Sequence, residues 1–195
     1  MSAARWRAFD TWSNGIFPLA GAIAAVGHGA PGAVFALSMI YLGLASAAFH
    51  SNAVPWGNTA DVLAMYVVTI GLVIVSSGLA LFDGVVTAVA MGLAGGVGAF
   101  LFRFELSRVR MQTKIAAIAG GMILVVAIRA AVAGPEGDPD LVLLLVSVGL
   151  FGVALVCRAF VDKFGGHETR RGSLAAGFWH ILAGVGFLVW FLAVV

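Results

Sequence analysis

Apolar runs of about 20 residues, separated by short turn-forming breaks, make up most of this chain, and a bilayer core is the solvent such runs suit. Seven qualify: 12–28, 31–50, 59–82, 84–102, 114–133, 140–160 and 173–194. The breaks carry turn chemistry, as in His28-Gly29-Ala30-Pro31, Asp83-Gly84 and Gly134-Pro135-Glu136-Gly137-Asp138-Pro139. Composition agrees. Of 195 residues, 62% are hydrophobic and 10% charged, against about 25% charged in a soluble domain. The expectation is an all-α bundle of seven transmembrane helices, forming one integral membrane domain over residues 1–195. Arg5 and Arg7 ahead of a short apolar stretch would also suit a signal peptide, but Gly27-His28-Gly29-Ala30 is a poor cleavage site.

Orientation follows from the basic residues. With seven spans, one side holds Arg5, Arg7, Arg103, Arg108, Arg110, Lys114, Arg158, Lys163, Arg170 and Arg171, ten of the eleven Lys and Arg. The other side carries Asp83, Glu136, Asp138 and Asp140, with Arg129 near them. The positive-inside rule makes the basic side cytoplasmic, so the N-terminus is expected inside and the C-terminus outside. Trp6, Trp12, Trp56 and Trp179 fall near cytoplasmic span ends, where interfacial anchors belong. In a bacterium this would be an inner-membrane protein.

Other features narrow little. A net charge of +2 does not point to nucleic acid. Cys157, the single cysteine, cannot form an intrachain disulfide and reads as a small core residue. Gly92, Gly96 and Gly120-Gly121 let helices approach closely in lipid. No internal repeat favours an inverted-repeat transporter.

Ionisable residues inside the membrane are functional candidates. Away from the rims these are His50, Asp61, Arg129 and His180. Arg129 can snorkel outward toward Asp83 or Glu136. The other three converge, because span 2 ends, and spans 3 and 7 begin, on the cytoplasmic side. Ser46 joins them, one turn from His50 on the same helix face. Imidazole, carboxylate and water suit zinc, which lowers the pKa of bound water to about 7. A buried carboxylate can orient that water and move its proton. The chemistry implied is hydrolysis of a membrane lipid near its headgroup.

Ser46-x-x-x-His50, followed by ten residues and Asp61, resembles the signature of the alkaline ceramidase family, grouped with progestin/adiponectin receptors and haemolysin III in the CREST superfamily of seven-span metal hydrolases. Phe178-Trp179-His180-Ile181-Leu182 resembles that group's last-span motif, and Ser13-Asn14 another recurring element. The resemblance implies a zinc-dependent hydrolase of a sphingolipid-like amide. His50 and His180 match metal ligands, and Ser46 and Asp61 match the pair that holds the water. One departure stands out: Ala176 occupies the position of a further ligand histidine. His167 folding back as third ligand, completion by Asp61 or extra water, and loss of metal binding all remain open. The acidic N-terminal cluster that binds calcium in eukaryotic alkaline ceramidases has no counterpart. Arg7 and Asp10 are the nearest charges leading into Ser13-Asn14, so calcium is not expected.

Three other functions compete. A rhodopsin needs a last-span lysine, and Lys114 and Lys163 are both at loop or rim positions. A haem protein could use His50 and His180, since imidazole suits iron as well. A non-catalytic lipid-binding or receptor-like relative is the serious rival, because of Ala176. Phe49, Met65 and Phe178 would suit an acyl chain without distinguishing ceramide from other lipid amides or esters.

Overall fold

The computed structural model describes residues 3–51, 55–76 and 139–195, together with Ile123. Among them the chain is helical, with no strand. We label the helices α1 (Ala3–Ser13), α2 (Ile16–Ala25), α3 (Gly29–His50), α4 (Gly57–Ser76), α5 (Leu141–Lys163) and α6 (Arg170–Val194). A 3-10 turn, Gly166–Glu168, precedes α6.

Four of these, α3 to α6, are long and apolar enough to cross a membrane. They match the expected runs 31–50, 59–82, 140–160 and 173–194, except that the described part of the second ends at Ser76. The expected runs 84–102 and, apart from Ile123, 114–133 lie outside the described residues, as do Arg129, Lys114 and the glycines at 92, 96, 120 and 121. A seven-span count is therefore not what the described residues support. They support a helical, multi-pass bundle of membrane type.

The run 12–28 departs from expectation. It is divided between the end of α1 and the ten-residue α2, which is about 15 Å long, half of a ~30 Å hydrocarbon core. Pro18 supplies the reason. It has no N–H to give the Asn14 carbonyl, and its ring crowds the preceding turn. That carbonyl instead accepts from Phe17 N at 3.2 Å. The Asn14 side chain donates to Asp10 O and Thr11 O at 3.0 and 3.3 Å, satisfying the end of α1.

Small residues set the helix contacts. A Cβ at Gly43 of α3 would stand 2.5 Å from Pro18 Cδ, so glycine there lets α3 close on the bend. Asp140 caps α5, accepting from Val142 N and Leu143 N at 2.9 and 3.0 Å, while its own N–H reaches Ala193 O at 2.8 Å. Midway along the pair, Ser147 Oγ donates to Gly186 O at 2.8 Å. The core is aromatic at one end, where Phe35 stacks on Phe191 with ring centroids 4.7 Å apart. Leu141, Val142, Leu145, Val153 and Val156 of α5 point outward, an apolar surface suited to lipid.

Candidate metal centre

α3 ends, α4 begins, α5 ends and α6 begins at one end of the bundle. The side chains facing the space between them grade along every helix. On α3, Leu42 gives way to Ser46 and His50; on α4, Met65 to Asp61 and Asn58. On α5, Phe151 gives way to Arg158; on α6, Phe187 and Ala183 to His180. The result is one cavity of ≈ 160 Å³, apolar at its inner end and polar toward the helix termini.

At the polar end, a carboxylate and three imidazoles meet. His167 Nδ1 lies 2.7 Å, and His50 Nδ1 3.1 Å, from the same oxygen, Asp10 Oδ2. The other oxygen, Asp10 Oδ1, is 3.5 Å from His180 Nδ1 and has no hydrogen-bond partner, although Asp10 is only 2% exposed. The His50 ring centroid lies 4.7 Å from those of both His167 and His180. Burial alone would raise the Asp10 carboxyl. Hydrogen bonds from His167 and His50, and the charges of His50 and His180, outweigh it and hold the group below the usual carboxylate range.

Each member is held by identifiable chemistry. On α1, Asp10, Ser13 and Asn14 share a face at i, i+3 and i+4. Ser13 Oγ donates to Asp10 O at 2.7 Å, so it accepts from His180 Nδ1 at 2.9 Å. That hydrogen bond fixes the His180 tautomer, with Nε2 left unprotonated. His167 is brought inward by a sharp turn: Gly165 and Gly166 have φ of 85° and 73°, a backbone region that suits glycine. Ser173 Oγ then donates to His167 O at 2.7 Å, and Arg7 of α1 pairs with Glu168 beside it. Asp61, buried on α4, accepts a hydrogen bond from Ser46 and lies close enough to His50, His167 and Asp10 to feel their charges.

All five residues singled out from the sequence, Ser46, His50, Asp61, His167 and His180, line this cavity. The ligand atoms that converge within 4.8 Å of one another belong to Asp10, His50 and His167. His180 packs beside them, while Ala176 lines the cavity without a donor atom. Sequence reasoning gave Asp10 no part in the site. The available signal was a lone carboxylate one helical turn ahead of Ser13-Asn14.

Two nitrogens and a carboxylate oxygen form a zinc-type donor set. Ligands at zinc bond lengths around a tetrahedral ion stand ~3.3 Å apart; the 3.1 Å His50 contact to Asp10 Oδ2 approaches that spacing, while the 2.7 Å His167 contact is a hydrogen bond that a bound ion would have to lengthen. The unpartnered, buried Asp10 Oδ1 is a further acceptor that a cation would satisfy. The residues fit a metal ion. In comparisons with known proteins, no family model, no curated protein and no solved structure matches this chain.

Proposed function

We propose that this protein is an intramembrane zinc-dependent hydrolase of a lipid amide, ceramidase-like in chemistry, with its site toward the cytoplasmic face of a multi-pass helical bundle. The observation that carries this reading is the buried meeting of Asp10, His50 and His167 at the polar end of an otherwise apolar cavity, with Asp61 and Ser46 alongside. Ionisable groups buried in a membrane bundle are costly and commonly mark functional sites. A lipid fits the same cavity by polarity, its chain among Leu42, Met65, Phe151 and Phe187 and its polar group among the histidines.

Asp10, His50 and His167 would hold the ion, and His180, oriented by Ser13, completes the imidazole wall. Asp10 thereby supplies the donor that Ala176 lacks. A zinc ion bound there supplies Lewis acidity and brings the pKa of water near 7. Asp61 is the proton carrier. It takes a proton from water as the new C–O bond forms at the amide carbonyl, and returns it to the amine nitrogen as the C–N bond breaks. The products are a carboxylic acid and an amine. Ser46 donates to Asp61 and so aims the carboxylate.

One observation favours a second reading. Ala176 is buried in the cavity wall where the resemblance expects an imidazole, and a lipid-binding relative without catalysis would tolerate it. Release of fatty acid from lipid amides by the purified protein in liposomes, with and without a zinc chelator, separates the two. Chelator-sensitive, zinc-restorable release supports the hydrolase. Binding of the same lipids without release supports the binding protein.

A further inference from the structure

Arg158 is the only lysine or arginine among the described residues that lines the cavity. It stands near the end of α5, at the polar end of the cavity, where a guanidinium is tolerated and can meet a charged group of a ligand. Its neighbour Asp162, one turn on and 60% exposed, accepts one N–H from Arg158 at 3.0 Å. Arg158 is 20% exposed. A guanidinium carries five N–H donors in a planar fork, so one bond to an outward-lying carboxylate leaves donors to spare. The fork matches a carboxylate in two parallel hydrogen bonds.

Its helix face adds direction. Phe151 and Arg158 both line the cavity, two turns apart on one face of α5, about 10 Å along the axis. Phe151 packs edge-on against Phe187, with ring centroids 4.9 Å apart, in the apolar end. The helix therefore offers an aromatic wall to a chain and a cation to whatever ends that chain near the helix terminus. The cavity's ≈ 160 Å³ is close to the ~150 Å³ of an engineered cavity that holds one benzene molecule. It accommodates part of one acyl chain rather than two chains side by side.

We propose that the cavity selects a single-chain acyl amide bearing a carboxylate, an N-acyl amino acid, with Arg158 receiving that carboxylate. This rests on the hydrolase reading for the amide, but the selection itself is a binding property. The carboxylate lies at the rim on Arg158, the chain runs inward past the Phe151–Phe187 pair toward Leu42 and Met65, and the amide falls on the stretch of the cavity that the histidines line. A neutral ceramide offers Arg158 no charge and brings a second chain.

Binding tests this without turnover. Full-length protein carrying Asp61→Asn, in nanodiscs of zwitterionic lipid, is titrated with N-palmitoylglycine, N-palmitoylethanolamine and palmitate. N-palmitoylglycine should bind at least tenfold more tightly than its neutral ethanolamine counterpart, and Arg158→Gln should erase the difference. Arg158→Lys, which keeps the charge and loses the fork, should leave a reduced preference, and it serves where the glutamine variant does not fold. Equal binding of the two amides, or a preference undiminished in both Arg158 variants, overturns the proposal. Palmitate binding as tightly as N-palmitoylglycine, with the same Arg158 dependence, overturns the amide and makes the ligand a free fatty acid. Failure of hydrolysis in the parent protein leaves this binding result standing.

Discussion

His167 and Asp10 are 157 positions apart in the chain, and His167 Nδ1 lies 2.7 Å from Asp10 Oδ2. One comes from the turn before α6 and the other from the helix that precedes the first membrane segment. Neither belongs to an apolar run long enough to span a bilayer. The contact, with the Arg7–Glu168 pair beside it, fastens α1 across the polar end of the cavity.

In the proposed site Asp10 is also a metal ligand, and metal affinity reads that role separately from the fold. Asp10→Asn keeps the shape and removes the charge, and zinc affinity should fall at least about 100-fold, beyond the 10–100-fold typical of losing an outer-shell partner. Competition with a zinc-sensitive dye measures it. Unchanged affinity would show that the carboxylate serves only the histidines.

In the proposed reaction Asp61 carries the proton rather than the metal, so its removal should separate binding from chemistry. Asp61→Asn should retain the metal while the hydrolysis rate drops by about 10²–10⁴-fold, the range for losing a general base. Zinc content and fatty acid release, measured on one preparation, give both values. Loss of metal together with activity would make Asp61 a ligand instead.

At Ala176 the outcome depends on how the ligand set is completed. Residue 176 lies one turn before His180 on the same face. If Asp10 and His167 complete the set, as proposed, Ala176→His should not raise zinc affinity. It should cost stability, about 1–3 kcal/mol for overpacking, because Ala176 is buried. His167→Ala should strip the metal. A rise in affinity in Ala176→His, with no loss in His167→Ala, would restore the histidine-only arrangement.

Gly43 tests the fold independently of the site. A Cβ there would press on Pro18 Cδ from 2.5 Å, so Gly43→Ala should destabilise the bundle by about 1–3 kcal/mol. Thermal unfolding in detergent reads this as a lower Tm, and an unchanged Tm would mean that α3 and the bend of α2 are not in close contact.

Much of this architecture was legible in the sequence because lipid solvation needs a long uninterrupted apolar run. α3, α5 and α6 begin and end within a few residues of the expected 31–50, 140–160 and 173–194. The break between α1 and α2 was not legible, since Pro18 interrupts hydrogen bonding without interrupting hydropathy. The site divides the same way. Ser46, His50, Asp61 and His180 stand out because polar groups within apolar helices are expensive. Asp10 lies outside any apolar run and looks like an ordinary rim charge. His167, close to Arg170 and Arg171, looks like a solvated loop residue until the Gly165-Gly166 turn folds it inward.

Zinc stoichiometry of the purified full-length protein is the most direct test of the central claim. Elemental analysis after detergent purification should find about one zinc per chain in the parent protein, and close to none in the His50→Ala/His167→Ala double variant. No zinc in the parent after incubation with the metal, or a full complement in the double variant, would contradict the account.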